Sequence, residues 1–134
     1  MSNFIGFFLE VEENEDIPKI EVRARALMNE IKLDLGPEDR KELEDSVIRQ
    51  EDLLYSGIGF ETTTAWPEVA HAIVDVMEGV AESFPEMKLV LFTTWEGPIN
   101  GKYVSENGKF VKVQPLTDEN GCPLHDEAEN VLFP

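Results

Sequence analysis

The chain has 134 residues, 42% of them hydrophobic, and its 28 Asp and Glu against 11 Lys and Arg give a formal net charge of -17. This length is typical of one domain, and the apolar content is ordinary for a folded protein, so the charge does not indicate disorder. A negative field of this size repels phosphate groups. It argues against direct binding to nucleic acid or to a membrane, and it favours basic protein partners.

The positive charge is unevenly distributed along the chain. No Lys or Arg lies between Arg49 and Lys88, whereas acidic residues are frequent there. These are Glu51, Asp52, Glu61, Glu68, Asp75, Glu78, Glu82 and Glu86. The middle of the chain is therefore expected to present the strongest attraction for a basic surface.

The N-terminal sequence and the cysteine content bear on the compartment. The single Cys122 excludes an intramolecular disulfide. The apolar run near the N-terminus has no basic residues before it and acids directly after it, so it is typical of a strand rather than a signal peptide. No apolar run approaches the ~18 residues of a transmembrane helix. We expect a soluble cytoplasmic protein.

The first two predicted elements are a strand and a helix. Residues 3–12 alternate apolar side chains, which predicts a strand with one buried face. Residues 17–33 carry apolar side chains at helical spacing. Asp16 is the expected N-cap of this helix, and Pro18 suits its first turn.

The next two segments are less regular. Residues 38–52 carry many charges and few apolar anchors, which leaves a short surface helix or an ordered loop as alternatives. Residues 53–64 predict a strand ending in a run of threonines. Within it, Gly57 and Gly59 indicate a bulge or close backbone packing.

The second half has the clearest signals. Residues 67–84 carry a full apolar stripe of helical period and are bounded by prolines. Residues 87–95 predict a strand, and residues 102–114 predict a hairpin because the dipeptide Asn107-Gly108 tolerates the positive φ angles of a tight type I′ turn.

This order of elements predicts an α+β fold. We expect a two-layer sandwich in which two main helices cover one face of a ferredoxin-like antiparallel sheet. Residues 1–134 are treated as a single domain, with an α+β core over residues 1–115 and a loop-rich acidic C-terminal tail over residues 116–134. An open edge strand of such a sheet is compatible with a homodimer.

An ordered set of short sequence elements runs through residues 58–113. In chain order they are Thr64-Ala65-Trp66-Pro67, Phe84-Pro85, Glu96-Gly97, Gly101-Lys102-Tyr103 and Asn107-Gly108. In this order the segment resembles the YubB-type family of plasmid and phage proteins. The resemblance implies a ferredoxin-like domain and a mobile genetic element as the setting, and it implies no catalytic site. The acidic segment 38–52 departs from the pattern of that family.

The helix predicted at 67–84 has a distinct polar face. Glu68, His71, Asp75, Glu78 and Glu82 follow one another at intervals of three or four residues. On a helix this spacing stacks them with Cβ atoms roughly 5–6 Å apart. Successive phosphates of one nucleic-acid strand are separated by roughly 6–7 Å, with one charge per ~3.4 Å of helix axis. The face could therefore imitate a phosphate backbone; the alternative is an ordinary solvated helix face.

Two further acidic clusters flank the core. Glu10, Glu12 and Glu13 lie where the first strand ends, followed by Glu15 and Asp16. The positive end of the helix dipole accounts for Glu15 and Asp16 but less well for the others. The tail cluster around 118–129 is most simply a solvated terminus.

The motifs of metal and catalytic sites are missing or incomplete. The segment 118–129 resembles a calcium loop only in part, because Pro123 stands where that loop requires Gly. Cys122 and His125, with His71 as the only other histidine, are too few for a four-ligand zinc site. No nucleophile-base motif or phosphate-binding glycine loop is present. We expect no enzyme activity, no metal and no cofactor.

Two functional hypotheses follow. The leading one is a non-enzymatic acidic interaction protein of a phage or other mobile element, which binds a basic protein surface. In its concrete form it is a nucleic-acid mimic that inhibits a host defence or DNA-binding protein. Its partner-binding residues would be Glu68, Asp75, Glu78, Glu82, Glu10, Glu12 and Glu13.

The alternative is a ferredoxin-like small-ligand-binding or regulatory domain. Its pocket would lie on a sheet face and be lined by Tyr55, Trp66 and Trp95. In that case the acidity would serve solubility alone.

Overall fold

A computed structural model describes residues 3–50 and 57–134 of the chain, with residues 48–50 described through their backbone alone. In chain order the elements are β1 (Phe4–Val11), α1 (Ile17–Ile31), α2 (Pro37–Asp45), β2 (Val47–Gln50), β3 (Gly57–Thr63), α3 (Pro67–Ser83), β4 (Leu89–Trp95), β5 (Ile99–Glu106) and β6 (Lys109–Lys112). Among these described residues, no helix has the length and apolar composition needed to cross a bilayer.

The strands form one antiparallel sheet in the order β2-β3-β1-β4-β5-β6. In the centre, Leu9 lies between Ile58 of β3 and Leu91 of β4. All three side chains are buried. They lie on the same face of the sheet, because residues paired directly across neighbouring strands point to the same side. The six-strand order differs from that of a four-stranded ferredoxin-like sheet, since β5 and β6 continue the sheet beyond β4.

The helices form the second layer. α1 and α3 pack against each other, and Gly79 of α3 allows a close approach because a Cβ there would lie 2.8 Å from Leu27 Cδ1. α2 adds the fully buried side chain of Leu43. The largest fully buried side chains are Phe60, Leu9, Ile17, Ile20, Leu43, Ile73, Met77 and Leu89. The predicted α+β class and two-layer arrangement are confirmed.

Two predictions for the first half were incomplete or wrong. The segment 38–52 begins with α2 and then continues into β2, which pairs with β3; a four-residue edge strand is too short to show alternation in the sequence. Asp16 does not cap α1 with its side chain. Its backbone is helical rather than extended, with φ −84° and ψ −14°, so the carboxylate instead accepts from Lys19 Nζ at 3.5 Å.

The strand predicted at 53–64 is β3 in its described part, whereas residues 53–56 lie outside the described residues. The close packing predicted for Gly57 is confirmed, because a Cβ there would overlap the carbonyl oxygen of Leu9. The neighbouring strand β1 leaves no room for a side chain at this position.

The hairpin is confirmed, although β5 begins earlier than expected, at Ile99. Asn107 and Gly108 have φ angles of 52° and 83°, as a type I′ turn requires. The tail that follows has only isolated bridges, Thr117 to Pro123 and His125 to Val131, in keeping with the predicted loop-rich segment.

Candidate protein-interaction site

The orientation of α3 is fixed by its apolar stripe. Pro67 occupies the first turn, where its missing N–H costs nothing. The buried residues of the helix are Val69, Ala72, Ile73, Val76, Met77, Val80 and Ala81. Because these residues face the sheet and α1, the opposite side of the helix must face solvent.

That solvent-facing side carries the acidic row predicted from the sequence. Glu68, Asp75, Glu78 and Glu82 are all exposed, as is His71 between them. Glu68 and Glu82 are separated along the helix axis by about 21 Å, at 1.5 Å per residue. We refer to these four carboxylates as the α3 acidic row.

The α3 acidic row is electrostatically uncompensated on its own helix. The ion pairs of the described residues are Lys19–Asp16 at 3.5 Å, Arg25–Glu21 at 3.3 Å and Lys32–Glu44 at 3.2 Å, all outside α3. α3 itself contains no Lys or Arg. Lys109 at the start of β6 lines the same hollow as Glu78 and Glu82, without an ion pair to either.

The second predicted cluster lies elsewhere. Glu10 stands between Leu9 and Val11, whose buried side chains face the helices, so Glu10 projects from the opposite face of the sheet. Glu10 and Glu12 line a hollow together with Lys88 and Val90. Glu13 follows them and is exposed.

The structure therefore does not place Glu10 on the surface that carries the α3 acidic row. A flat partner bound to the α3 face would not reach the other face of the sheet. The alternation of Leu9, Glu10 and Val11 in the sequence is the signal that indicates this separation.

A groove that the sequence did not indicate runs beside the α3 acidic row. Its cavity of about 290 Å³ is lined by Phe7, Val74, Met77, Glu78, Leu91, Thr93, Tyr103 and Phe110. It adjoins a hollow of about 270 Å³ lined by Glu78, Glu82, Gly108, Lys109 and Phe110. We call the two together the α3–β6 groove, and Glu78 belongs to both parts.

The groove arises from how the β5–β6 hairpin meets α3. The turn packs against the last turns of the helix, where a Cβ on Gly108 would lie 3.4 Å from Ala81 O. Further from the turn, helix and hairpin separate, and side chains of β1, β4 and β5 form the floor of the groove. Gly101 leaves space for this floor, because a Cβ there would collide with the Thr93 hydroxyl.

The aromatic pocket of the alternative hypothesis is described only in part. Trp66 is half-buried and packs against the core at the start of α3, and Trp95 is 45% exposed. Tyr55 lies outside the described residues. The aromatic side chains of the groove are instead Phe7, Tyr103 and Phe110.

The two aspartates of the tail accept hydrogen bonds within their own loops. Asp118 Oδ1 accepts hydrogen bonds from the N–H groups of Asn120 and Cys122, at 2.8 and 3.0 Å. Asp126 accepts from Asn130 and Ala128, and the Asn130 backbone N–H is the main cause that lowers the pKa of Asp126. In ranges 3–50 and 57–134, no group of three or more His, Cys, Asp and Glu is arranged to hold a metal ion.

Comparison with known proteins adds no relative. No protein-family model, curated protein or solved structure matches the chain. The resemblance of residues 58–113 to the YubB-type family therefore stays a prediction.

Proposed function

We propose that this chain is a non-enzymatic interaction protein that binds a basic surface of another protein through the α3 acidic row. One observation carries the proposal: Glu68, Asp75, Glu78 and Glu82 share an exposed face, and the described residues offer them no ion pair. Asp75–Glu78 and Glu78–Glu82 are like-charge neighbours on this face, and each such pair destabilises a helix by a few tenths of a kcal/mol. Helices that serve only as solvated surfaces usually avoid that cost by mixing signs.

The partner that fits this row best is a nucleic-acid-binding site. From Asp75 to Glu82 the row offers carboxylates at intervals comparable to the phosphates of one strand, and Glu68 lies about 10.5 Å further along the helix axis. A protein that holds nucleic acid through Lys and Arg would bind the row in its own nucleic-acid-binding groove. Occupation of that groove would inhibit it. The resemblance of residues 58–113 to plasmid and phage proteins supports a host defence or DNA-binding protein as the target.

We also propose that β1-α1-β2-β3-α3-β4 is a ferredoxin-like unit to which β5 and β6 are added. Support comes from the order β2-β3-β1-β4 within the antiparallel sheet and from α1 and α3 as its two main helices. In this arrangement α3 is the second main helix of the unit, and the added hairpin supplies one wall of the α3–β6 groove.

The test is affinity capture from a lysate of the natural host, with washes at low and then high salt and identification by mass spectrometry. The variant Asp75→Lys/Glu78→Lys should lose a captured nucleic-acid-binding protein by at least about 10-fold, because two attractive contacts become repulsive. Glu119→Lys/Glu127→Lys makes the same charge change on exposed tail residues and serves as the matched control. Equal capture by both variants would contradict the proposal.

The observation that favours the alternative, a small-ligand-binding domain, is the lining of the α3–β6 groove by Phe7, Tyr103 and Phe110. A ligand that binds the folded state alone raises the melting temperature. A thermal-shift screen that yields such a ligand, together with no salt-sensitive protein partner, would favour this function over the first.

A further inference from the structure

The α3–β6 groove combines an aromatic cavity with a carboxylate at its rim. Phe7, Tyr103 and Phe110 provide aromatic rings, and Glu78 supplies the acidic group of the cavity. Neither the Glu78 carboxylate nor the Tyr103 hydroxyl has a hydrogen-bond partner within the described part of the chain. The groove thus offers an apolar surface and free polar groups side by side.

We propose that this groove is the specificity pocket of the interface and that it receives an arginine side chain of the basic partner. The inference rests on the proposed function, since it assigns one contact of that interface. This contact differs from the general attraction of positive charge by the α3 acidic row, because it requires an arginine of the partner at the α3–β6 groove.

The size of the cavity favours a side chain over a cofactor. Its volume of about 290 Å³ lies just below the roughly 300–1,000 Å³ that small-molecule sites occupy. A partner residue that inserts into such a pocket at the edge of a charged face is the usual form of an interface hot spot.

The chemistry of the lining favours arginine among the possible side chains. A guanidinium group stacks on aromatic faces and binds a carboxylate with two parallel hydrogen bonds. Its methylene stem can lie against Val74 and Met77. Lysine has a compact, strongly hydrated charge and gains less from aromatic rings. An acidic or purely apolar side chain would leave Glu78 desolvated without a counter-charge.

The charged groups that face the pocket are Glu78 and, in the adjoining hollow, Glu82 and Lys109. Lys109 is the cation that an incoming guanidinium would meet. Because Lys109 repels the guanidinium, it should weaken arginine binding slightly. Its neutralisation should therefore change the affinity in the opposite direction to the neutralisation of Glu78.

The probe is N-acetyl-arginine amide, titrated into the ¹⁵N-labelled chain of 134 residues and followed by NMR, with N-acetyl-lysine amide as the comparison at equal ionic strength. The arginine probe should shift the amide signals of Tyr103, Gly108 and Phe110 in a saturable way. The lysine probe should bind at least about 3-fold more weakly. Absence of saturable shifts at these residues, or equal binding of both probes, would overturn the proposal.

Variants locate the contact. Glu78→Gln should weaken arginine binding by about 10-fold, because the charge-assisted pair is lost. Glu119→Gln removes the same charge from an exposed tail residue, outside both the groove and the α3 acidic row, and should change arginine binding by less than about 2-fold. Lys109→Gln should strengthen binding. Equal losses of arginine binding for Glu78→Gln and Glu119→Gln would overturn the pocket.

These outcomes separate the pocket from the function on which it rests. If the host partner is lost by Asp75→Lys/Glu78→Lys but the two probes bind alike, the proposed function stands and the pocket is wrong. If the arginine probe binds at the groove and depends on Glu78 while no salt-sensitive partner is captured, the pocket is supported and the proposed function is wrong.

Discussion

Asn130 joins the C-terminal tail to Ile99, the first residue of β5. The Ile99 N–H donates to Asn130 Oδ1 at 2.7 Å, and the Val131 N–H donates to Ile99 O at 2.8 Å. The tail thus provides hydrogen-bond partners for both the N–H and the C=O of Ile99. The loop-rich segment is therefore fastened to the sheet at this point, even though it has little regular structure.

Asn130→Ala should lower the free energy of unfolding by about 1–2 kcal/mol, because a half-buried N–H loses its acceptor. Asn120→Ala is the matched control, since Asn120 is exposed and uses its backbone N–H, not its side chain, in the Asp118 loop. Urea denaturation of both variants measures the difference. If the two variants lose the same amount, the Asn130 contact does not hold the tail.

The same asparagine makes the tail sensitive to acid. Hydrogen bonds from the Asn130 backbone and side chain lower the pKa of Asp126 from its ordinary value of 3.8. A carboxyl with a lowered folded-state pKa stabilises the fold above its unfolded pKa and loses that contribution as the pH falls through its folded pKa. The stability difference between the native chain and Asp126→Asn should therefore be present at neutral pH and shrink below about pH 3.8.

An NMR titration of the Asp126 carboxyl, with the Asn130 amide as reporter, measures this directly. The Asn130 amide signal should move with the Asp126 titration in the native chain. A stability difference that stays constant down to pH 2 would contradict the assignment.

The centre of the sheet offers a steric test. Gly57→Ala would place a Cβ on the carbonyl oxygen of Leu9, a backbone atom of the central strand that cannot rotate away. We expect a loss of roughly 2–3 kcal/mol, at the upper end of ordinary overpacking. Gly36→Ala is the control, because no atom lies within 4 Å of a Cβ there. Thermal unfolding of the pair should show a large shift for Gly57→Ala alone.

The sequence predicted those features that depend on periodicity within one segment. The apolar stripe of α3 and the Asn107-Gly108 turn are of this kind, and both are confirmed. β2 was missed because four residues at a sheet edge carry too little pattern. The α3–β6 groove could not be predicted, because it depends on where the added hairpin meets α3 in space. The placement of Glu10 on the sheet face opposite α3 follows from the alternation of Leu9, Glu10 and Val11 along β1.

The last prediction concerns the cost of the α3 acidic row to folding. Replacement of Asp75, Glu78 and Glu82 by Gln should raise the free energy of unfolding by a few tenths of a kcal/mol for each of the two like-charge pairs relieved, Asp75–Glu78 and Glu78–Glu82. The gain should shrink as salt is added, because exposed charges are screened within about 3 Å at 1 M ionic strength. Glu44→Gln is the contrasting control, since that carboxylate pairs with Lys32 at 3.2 Å and its loss should give no gain.

Denaturant titrations at low and high salt provide the measurement for both variants. If the α3 acidic row stabilised the fold, its neutralisation would lower the free energy of unfolding. If the row binds a basic partner, its neutralisation should instead raise the free energy of unfolding while partner capture is lost. Functional surfaces commonly retain groups that disfavour the free folded state. Lower stability of the three-residue variant at low salt would therefore count against a binding role for α3.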